Sequence, residues 1–157
     1  MNKYINDKDI NILFAHGSYQ LDKGFKALNQ LQKSNQVYTY EDLRKNISNI
    51  DVLCVSGIWN NDLIDLATNL NYIQLTGVGY DGFDLNKLKD RNIKLCNAVG
   101  LNKIVVAEHT MSLILSLSRF LHIARDNQSK KFWAPFISEP KERQAEINGK
   151  TAVIFGL

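Results

Sequence analysis

The sequence predicts an α/β protein built on a parallel sheet with helices on both faces, and three observations carry that prediction. Short, mostly apolar runs, such as residues 52–55 and 93–96, alternate with longer stretches whose apolar residues recur every three or four positions. Glycines punctuate the chain just after strand-like runs, at Ser56-Gly57 and Gly77-Val78-Gly79. The composition is that of an ordinary folded chain: 157 residues, 45% hydrophobic and 22% charged, with 9 Gly and 2 Pro, too few for a low-complexity or collagen-like chain.

The elements follow in order. Residues 10–15 read as a strand. In 19–32, Leu21, Phe25, Leu28 and Leu31 fall on one helix face. Val and Tyr content makes 36–40 a second strand, and 41–45 reads as one short helical turn. Residues 52–55 form a third strand, followed by a helix over 62–70 with Leu63, Leu66, Ala67 and Leu70 on one side. A strand at 72–75, a short helix over 85–91 capped by Asp84, and a strand at 93–96 repeat the alternation.

From 103 to 125 the pattern becomes one long helix with apolar residues on more than one face, Ile104, Met111 and Leu115 on one side, Val106, Leu113 and Leu117 on another. Such a helix is expected to be buried between two bodies. Glu108, His109 and Arg119 interrupt it, so it never offers the roughly 18 uncharged apolar residues a membrane span requires. An irregular connector with Pro135 and Pro140 follows, then a turn at 146–150 and an apolar strand at 151–155 closed by Gly156.

The charge balance, 19 basic against 16 acidic residues, gives 19 − 16 = +3, and the charges are interspersed. No nucleic-acid or membrane partner is implied. The polar start, residues 1–9, lacks an export signal, and Cys54 and Cys96 inside strand-like runs read as buried thiols of a cytoplasmic protein. None of His16, His109 and His122 pairs with a Ser or Cys at motif spacing, and no His, Asp and Glu spacing makes a metal site. Neighbours Glu108 and His109 point about 100° apart on a helix and serve no common site. Turn and capping chemistry accounts for Asp81 and Asp84. Open α/β sheets bind ligands at the carboxyl ends of their strands, which directs attention to Ser56-Gly57 and Gly77-Val78-Gly79. A buried strand ending in Gly156 is also how a dinucleotide-binding unit begins, though one glycine is a short signal.

Residues 70–100, 102–119 and 147–157 together resemble the D-isomer-specific 2-hydroxyacid dehydrogenase family. The most specific matches are Gly77-Val78-Gly79-Tyr80-Asp81, Asp84, Asn97 and Val106-Ala107-Glu108-His109. The resemblance implies a flavodoxin-like, Rossmann-like α/β fold, with a substrate domain over 1–101. Residues 102–157 would hold the bridging helix, the connector and the first strand of a truncated Rossmann NAD-binding domain. It implies hydride transfer between a nicotinamide, NAD or NADP, and a small D-2-hydroxy or 2-oxo acid. Backbone amides around Val78 and Gly79 would bind the substrate carboxylate, Ser56 and Gly57 would form the opposite wall, and Val106 and Gly156 would meet the cofactor. In that family the Arg, Glu and His of the chemistry lie beyond the Rossmann glycines, so no catalytic residue is assigned and residues 1–157 alone are expected not to turn over. A homodimer is implied for the full-length form. Relatives that act on 3-phosphoglycerate usually carry an Arg just before Ser56; Val55 stands here and favours a short uncharged substrate such as glyoxylate or hydroxypyruvate. The alternative is a non-enzymatic binding or dimerisation module on the same fold.

Overall fold

A computed structural model describes residues 10–28 and 33–155. The strands are Asn11–His16 (β1), Lys33–Val37 (β2), Val52–Ser56 (β3), Tyr72–Leu75 (β4) and Lys94–Cys96 (β5), joined in one sheet of order β2-β1-β3-β4-β5. Every pairing is parallel, with Leu13 beside Leu53 and Leu53 beside Ile73. This is the flavodoxin-like order, in which the connection reverses direction between β1 and β3. The chain divides into two compact units, Met1–Leu101 and Asn102–Leu157.

In the first unit the pleat sets the layers. Leu13, Ala15, Leu53, Val55, Ile73 and Leu75 alternate onto one face and are all buried. Helices Tyr40–Asn46 (α2), Leu63–Leu66 (α3) and Leu85–Asp90 (α4) bring Leu43, Leu63, Ile64 and Leu88 onto the same core, joined by Ile47 and Ile50. Each of these large side chains removes apolar area worth about 1.5–3 kcal/mol from water. On the other face the helix Leu21–Lys26 (α1) packs Phe25 on Phe14, ring centroids 5.6 Å apart.

Capping explains where these helices begin. The Thr39 hydroxyl accepts from the Asp42 N–H at 3.1 Å, which starts α2 at Tyr40, where the sequence pattern predicts the end of a strand. Asp84 accepts from the Lys87 N–H at 3.0 Å and opens α4 as predicted. The predicted helix over 62–70 shrinks to one turn, because the Thr68 hydroxyl and Asn69 amide turn outward to donate to the Ser48 carbonyl. The helix expected over 19–32 is ordered as α1 only through Lys26; residues 29–32 lie outside the description.

In the second unit the single helix expected over 103–125 is two, Lys103–Ser118 (α5) and Leu121–Ser129 (α6), meeting at 69°. Phe120 adopts left-handed φ of 55° at the break, and the Ser118 carbonyl accepts from the Ala145 N–H at 3.0 Å instead of continuing the helical ladder. No residue of α5 is buried. No single helix among the described residues is long and apolar enough to cross a membrane. The turn at 146–150 forms, with the Lys150 N–H on the Ile147 carbonyl and Gly149 at φ 70°. Residues 151–155, expected as a strand, carry no regular structure and expose Val153 and Phe155, since no neighbouring strand is described to supply ladder bonds.

Candidate functional site

Three loops leave the carboxyl ends of the central strands, and their backbone amides are used differently. After β1, His16 Nδ1 accepts from the Ser18 and Tyr19 N–H groups, both at 3.0 Å, and the imidazole stacks on Tyr19 at 4.3 Å. Gln36 Oε1 takes the next two donors, Leu21 at 2.9 Å and Asp22 at 3.2 Å. His16 is thereby occupied as a local cap, with its other ring nitrogen carrying the proton in the neutral form. Four of the amides at this end of β1 are thereby engaged.

After β4 the polarity is the reverse. Four carbonyls are taken: Gly77 accepts from the Ala98 N–H at 2.9 Å, Val78 from Asn97 Nδ2 at 2.8 Å, Tyr80 from the Phe83 N–H at 3.0 Å and Gly82 from Asn61 Nδ2 at 3.1 Å. The N–H groups of Gly77, Val78, Gly79 and Tyr80 donate to no acceptor among the described residues. Val78 is 54% exposed, and a Cβ placed on Gly77 or Gly79 would meet nothing within 4 Å. A loop with most of its acceptors satisfied and its donors open to solvent is complementary to an anion.

After β3, Ser56 is half-buried at the strand end and Gly57 takes φ 77°, a conformation glycine adopts without steric penalty. The N–H groups from Gly57 to Asn61 likewise have no acceptor among the described residues. This loop is tied to the β4 loop. Asn61 Oδ1 accepts from Trp59 Nε1 at 3.1 Å and from the Asp84 N–H at 3.0 Å, while its Nδ2 reaches Gly82. Trp59 stacks on Phe83 with centroids 4.9 Å apart. The structure therefore brings Ser56-Gly57 and Val78-Gly79 to one end of the sheet in two braced loops.

Two of the bracing residues carry no signal of that role in the sequence. Asn97 stands inside a motif, and Asn61 lies just before the helix predicted over 62–70 with no motif of its own. Val106, in the first turn of α5, is 59% exposed, and its carbonyl accepts from the Thr110 hydroxyl at 2.8 Å. Gly156 lies outside the described residues. Glu108, His109 and His122 are exposed, and no group of three His, Cys, Asp or Glu among the described residues could hold a metal.

Two further polar features flank the sheet. Beside α2, Asp62 Oδ2 accepts from the Tyr40 hydroxyl at 2.5 Å and from Arg44, which also reaches the Tyr40 oxygen at 3.3 Å. The Tyr40 hydrogen bond, then the Arg44 charge, hold the Asp62 carboxyl below the ordinary carboxylate range, and Arg44 is raised in turn. The thiols differ from expectation: Cys54 is half-buried and its pKa is raised by burial, while Cys96 is exposed because β5 is an edge strand. Both flank Gln74 in register, two strand spacings of about 4.8 Å apart, beyond the reach of a disulfide.

Residues 15–152 match the model of the D-isomer specific 2-hydroxyacid dehydrogenase catalytic domain. Over 150 residues the chain is 35% identical to a hydroxypyruvate reductase of Thermotoga maritima, covering 90% of this chain and 47% of that protein. The chain thus spans less than half the length of that relative. Among solved structures, an acyclic imino acid reductase in complex with NADPH and D-Arg superposes with a TM-score of 0.72 at 22% identity, over 88% of this chain and 46% of that one. An NAD-dependent formate dehydrogenase from Staphylococcus aureus, in complex with NAD, gives 0.66 at 22% identity, over 80% and 43%. At these identities the structural likeness speaks to the fold.

Proposed function

Since the chain belongs to the D-isomer specific 2-hydroxyacid dehydrogenase family, we propose that its β3 and β4 loops hold the carboxylate of a short D-2-hydroxy or 2-oxo acid in a nicotinamide-dependent oxidoreductase. The observation that carries this reading is the polarity of the β4 loop, where the Gly77, Val78, Tyr80 and Gly82 carbonyls are engaged while the Val78 and Gly79 amides are open. Amide dipoles bind a carboxylate at any pH at which the acid is ionised, and a hydrogen bond to a charged group is worth about 1.5–3 kcal/mol. Ser56 and Gly57 form the facing wall, and the missing side chains of Gly57 and Gly79 leave room for the anion.

The reading extends to the domains: Met1–Leu101 is the substrate domain, and Asn102–Leu157 is the bridge and the beginning of the cofactor domain. Exposed and apolar on α5, Val106 fits a contact with a planar ring, whereas the described residues include no donor set for a dinucleotide phosphate. NAD and NADP both remain within the proposal. A bound nicotinamide would supply or accept the hydride at C2 of the acid. This chain's own residues bind and orient the substrate; none is assigned as acid or base, and residues 1–157 alone are not expected to turn over. Val55 is fully buried on the core face, so that position sends no cation toward a substrate phosphate. Together with the name of the Thermotoga relative, this favours hydroxypyruvate or glyoxylate over a phosphorylated acid. A cytoplasmic location, with Cys54 and Cys96 as free thiols, and a homodimer in the full-length protein complete the reading.

The test is an amide-resolved NMR titration of the chain with glyoxylate and, in parallel, with uncharged glycolamide. Glyoxylate is expected to shift the Val78, Gly79 and Gly57 amides and glycolamide to leave them unmoved. Equal shifts with both, or none with glyoxylate at millimolar concentration, would refute carboxylate binding here.

A further inference from the structure

We infer that Asn61 is a positioning residue that sets the separation of the two carboxylate-binding loops, an inference that rests on the carboxylate reading of those loops. No motif singles this side chain out, yet its amide is used on both sides. Its Oδ1 accepts two hydrogen bonds, from Trp59 Nε1 at 3.1 Å within its own loop and from the Asp84 N–H at 3.0 Å across the gap. Its Nδ2 donates to the Gly82 carbonyl at 3.1 Å, in the loop that carries Val78 and Gly79. Both lone pairs of the oxygen are thereby filled, which fixes the plane of the amide and leaves one N–H for solvent.

The rest of the connection is apolar. Trp59 lies on Phe83 with an interplanar angle of 20°, so the indole is held from one side by a ring of the β4 loop and at its N–H by Asn61. Between Gly57, with its left-handed backbone, and Asn61 there are three residues of chain, and none of their N–H groups has an acceptor among the described residues. Without Asn61 the stacking of Trp59 on Phe83 is the remaining side-chain tie between these two loops among the described contacts. Stacking tolerates sliding; three hydrogen bonds with defined directions do not. A binding site made of backbone dipoles depends on such fixation, because a donor moved by about 1 Å is no longer aimed at its anion.

The experiment compares glyoxylate affinity, read from the Val78 and Gly79 amide shifts, with the thermal midpoint of the same proteins. Asn61→Ala is expected to weaken binding about fivefold or more, the loss of one or more hydrogen bonds' worth of positioning. Trp59→Phe keeps the stacked ring and removes one of the three bonds, and is expected to give a smaller loss in the same direction. Asn69→Ala is the control: it deletes a similar side-chain brace, to the Ser48 carbonyl at 3.1 Å, at the opposite end of the sheet, and should leave affinity unchanged. Wild-type affinity in Asn61→Ala, or an equal loss in Asn69→Ala, would overturn the positioning role while leaving carboxylate binding intact. If the wild-type chain itself shows no glyoxylate-dependent shift, both readings fall together.

Discussion

Alanine at Gly57 and alanine at Gly79 should move stability in opposite directions, although neither substitution meets a neighbouring atom. A Cβ at either position finds nothing within 4 Å, so packing contributes nothing to the difference. What differs is the backbone. Gly57 sits at φ 77°, where an L-residue pays about 1–2 kcal/mol for the contact between Cβ and the backbone carbonyl. Gly79 lies outside the left-handed region, where replacing glycine stabilises by about 0.4–1 kcal/mol because the unfolded chain loses freedom. For a unit of about 100 residues, 1 kcal/mol corresponds to roughly 4–8 °C in Tm. Gly57→Ala should therefore melt about 4 °C or more below the wild type, and Gly79→Ala a few degrees above it, by calorimetry or circular dichroism. Function should run the other way at Gly79: the added methyl stands where the anion approaches, so the more stable variant binds glyoxylate more weakly. Equal melting temperatures for the two variants, or a stabilised Gly57→Ala, would refute the backbone argument.

Three further outcomes follow from the same structure. Leu53→Ala empties a fully buried position in the middle strand of the sheet and should cost about 2–5 kcal/mol in denaturant unfolding, with glyoxylate binding retained in the folded fraction. Asp62, whose carboxyl is held below its unfolded value of 3.8 by Tyr40 and Arg44, contributes stability that is fully present above that pH and lost as pH falls through the lower folded value. The stability gap between wild type and Asp62→Asn should accordingly persist at neutral pH and close in strong acid; a gap that widens on acidification would reverse the sign. Oxidation of the intact folded chain should leave Cys54 and Cys96 unlinked, as an intramolecular disulfide would be detected by peptide mapping.

The alternation of apolar runs with helical periodicity was enough to read four of the strands and the α/β class, because burial of one sheet face demands that pattern from β3 and β4 whatever their neighbours do. β2 was displaced in that reading, since Lys33–Val37 is a polar edge strand, and Tyr38 and Tyr40 have the aromatic composition of a strand while the Thr39 cap turns the chain into α2. The long helix hid its break for a related reason. Nothing in the order of residues 115–121 marks a left-handed Phe120; the bend depends on the Ala145 N–H taking the Ser118 carbonyl from a distant stretch. At the site, the glycines of both loops were legible as punctuation, but Asn61 was not, because its importance lies in partners at 82 and 84 that only the fold brings to it.

The choice among the strand ends is where the structure adds most. Topology alone directs a ligand to the crevice between β1 and β3, where the connections reverse. Hydrogen-bond accounting moves it along the sheet. At the end of β1 the imidazole of His16 and the amide of Gln36 have already consumed four backbone donors, so an anion there would have to displace intramolecular partners. At the ends of β3 and β4 the amides have no acceptor among the described residues, and four carbonyls of the β4 loop that would repel an anion are pinned by Asn97, Ala98, Phe83 and Asn61. The difference between the two crevices is a property of side chains one or two elements away from either loop. A His16→Ala variant would release the Ser18 and Tyr19 N–H groups and so create donors at β1 without touching β3 or β4. If carboxylate affinity depends on the β3 and β4 amides as argued, that variant gains glyoxylate-dependent shifts at 18 and 19 at most, and those of Val78 and Gly79 stay as they were.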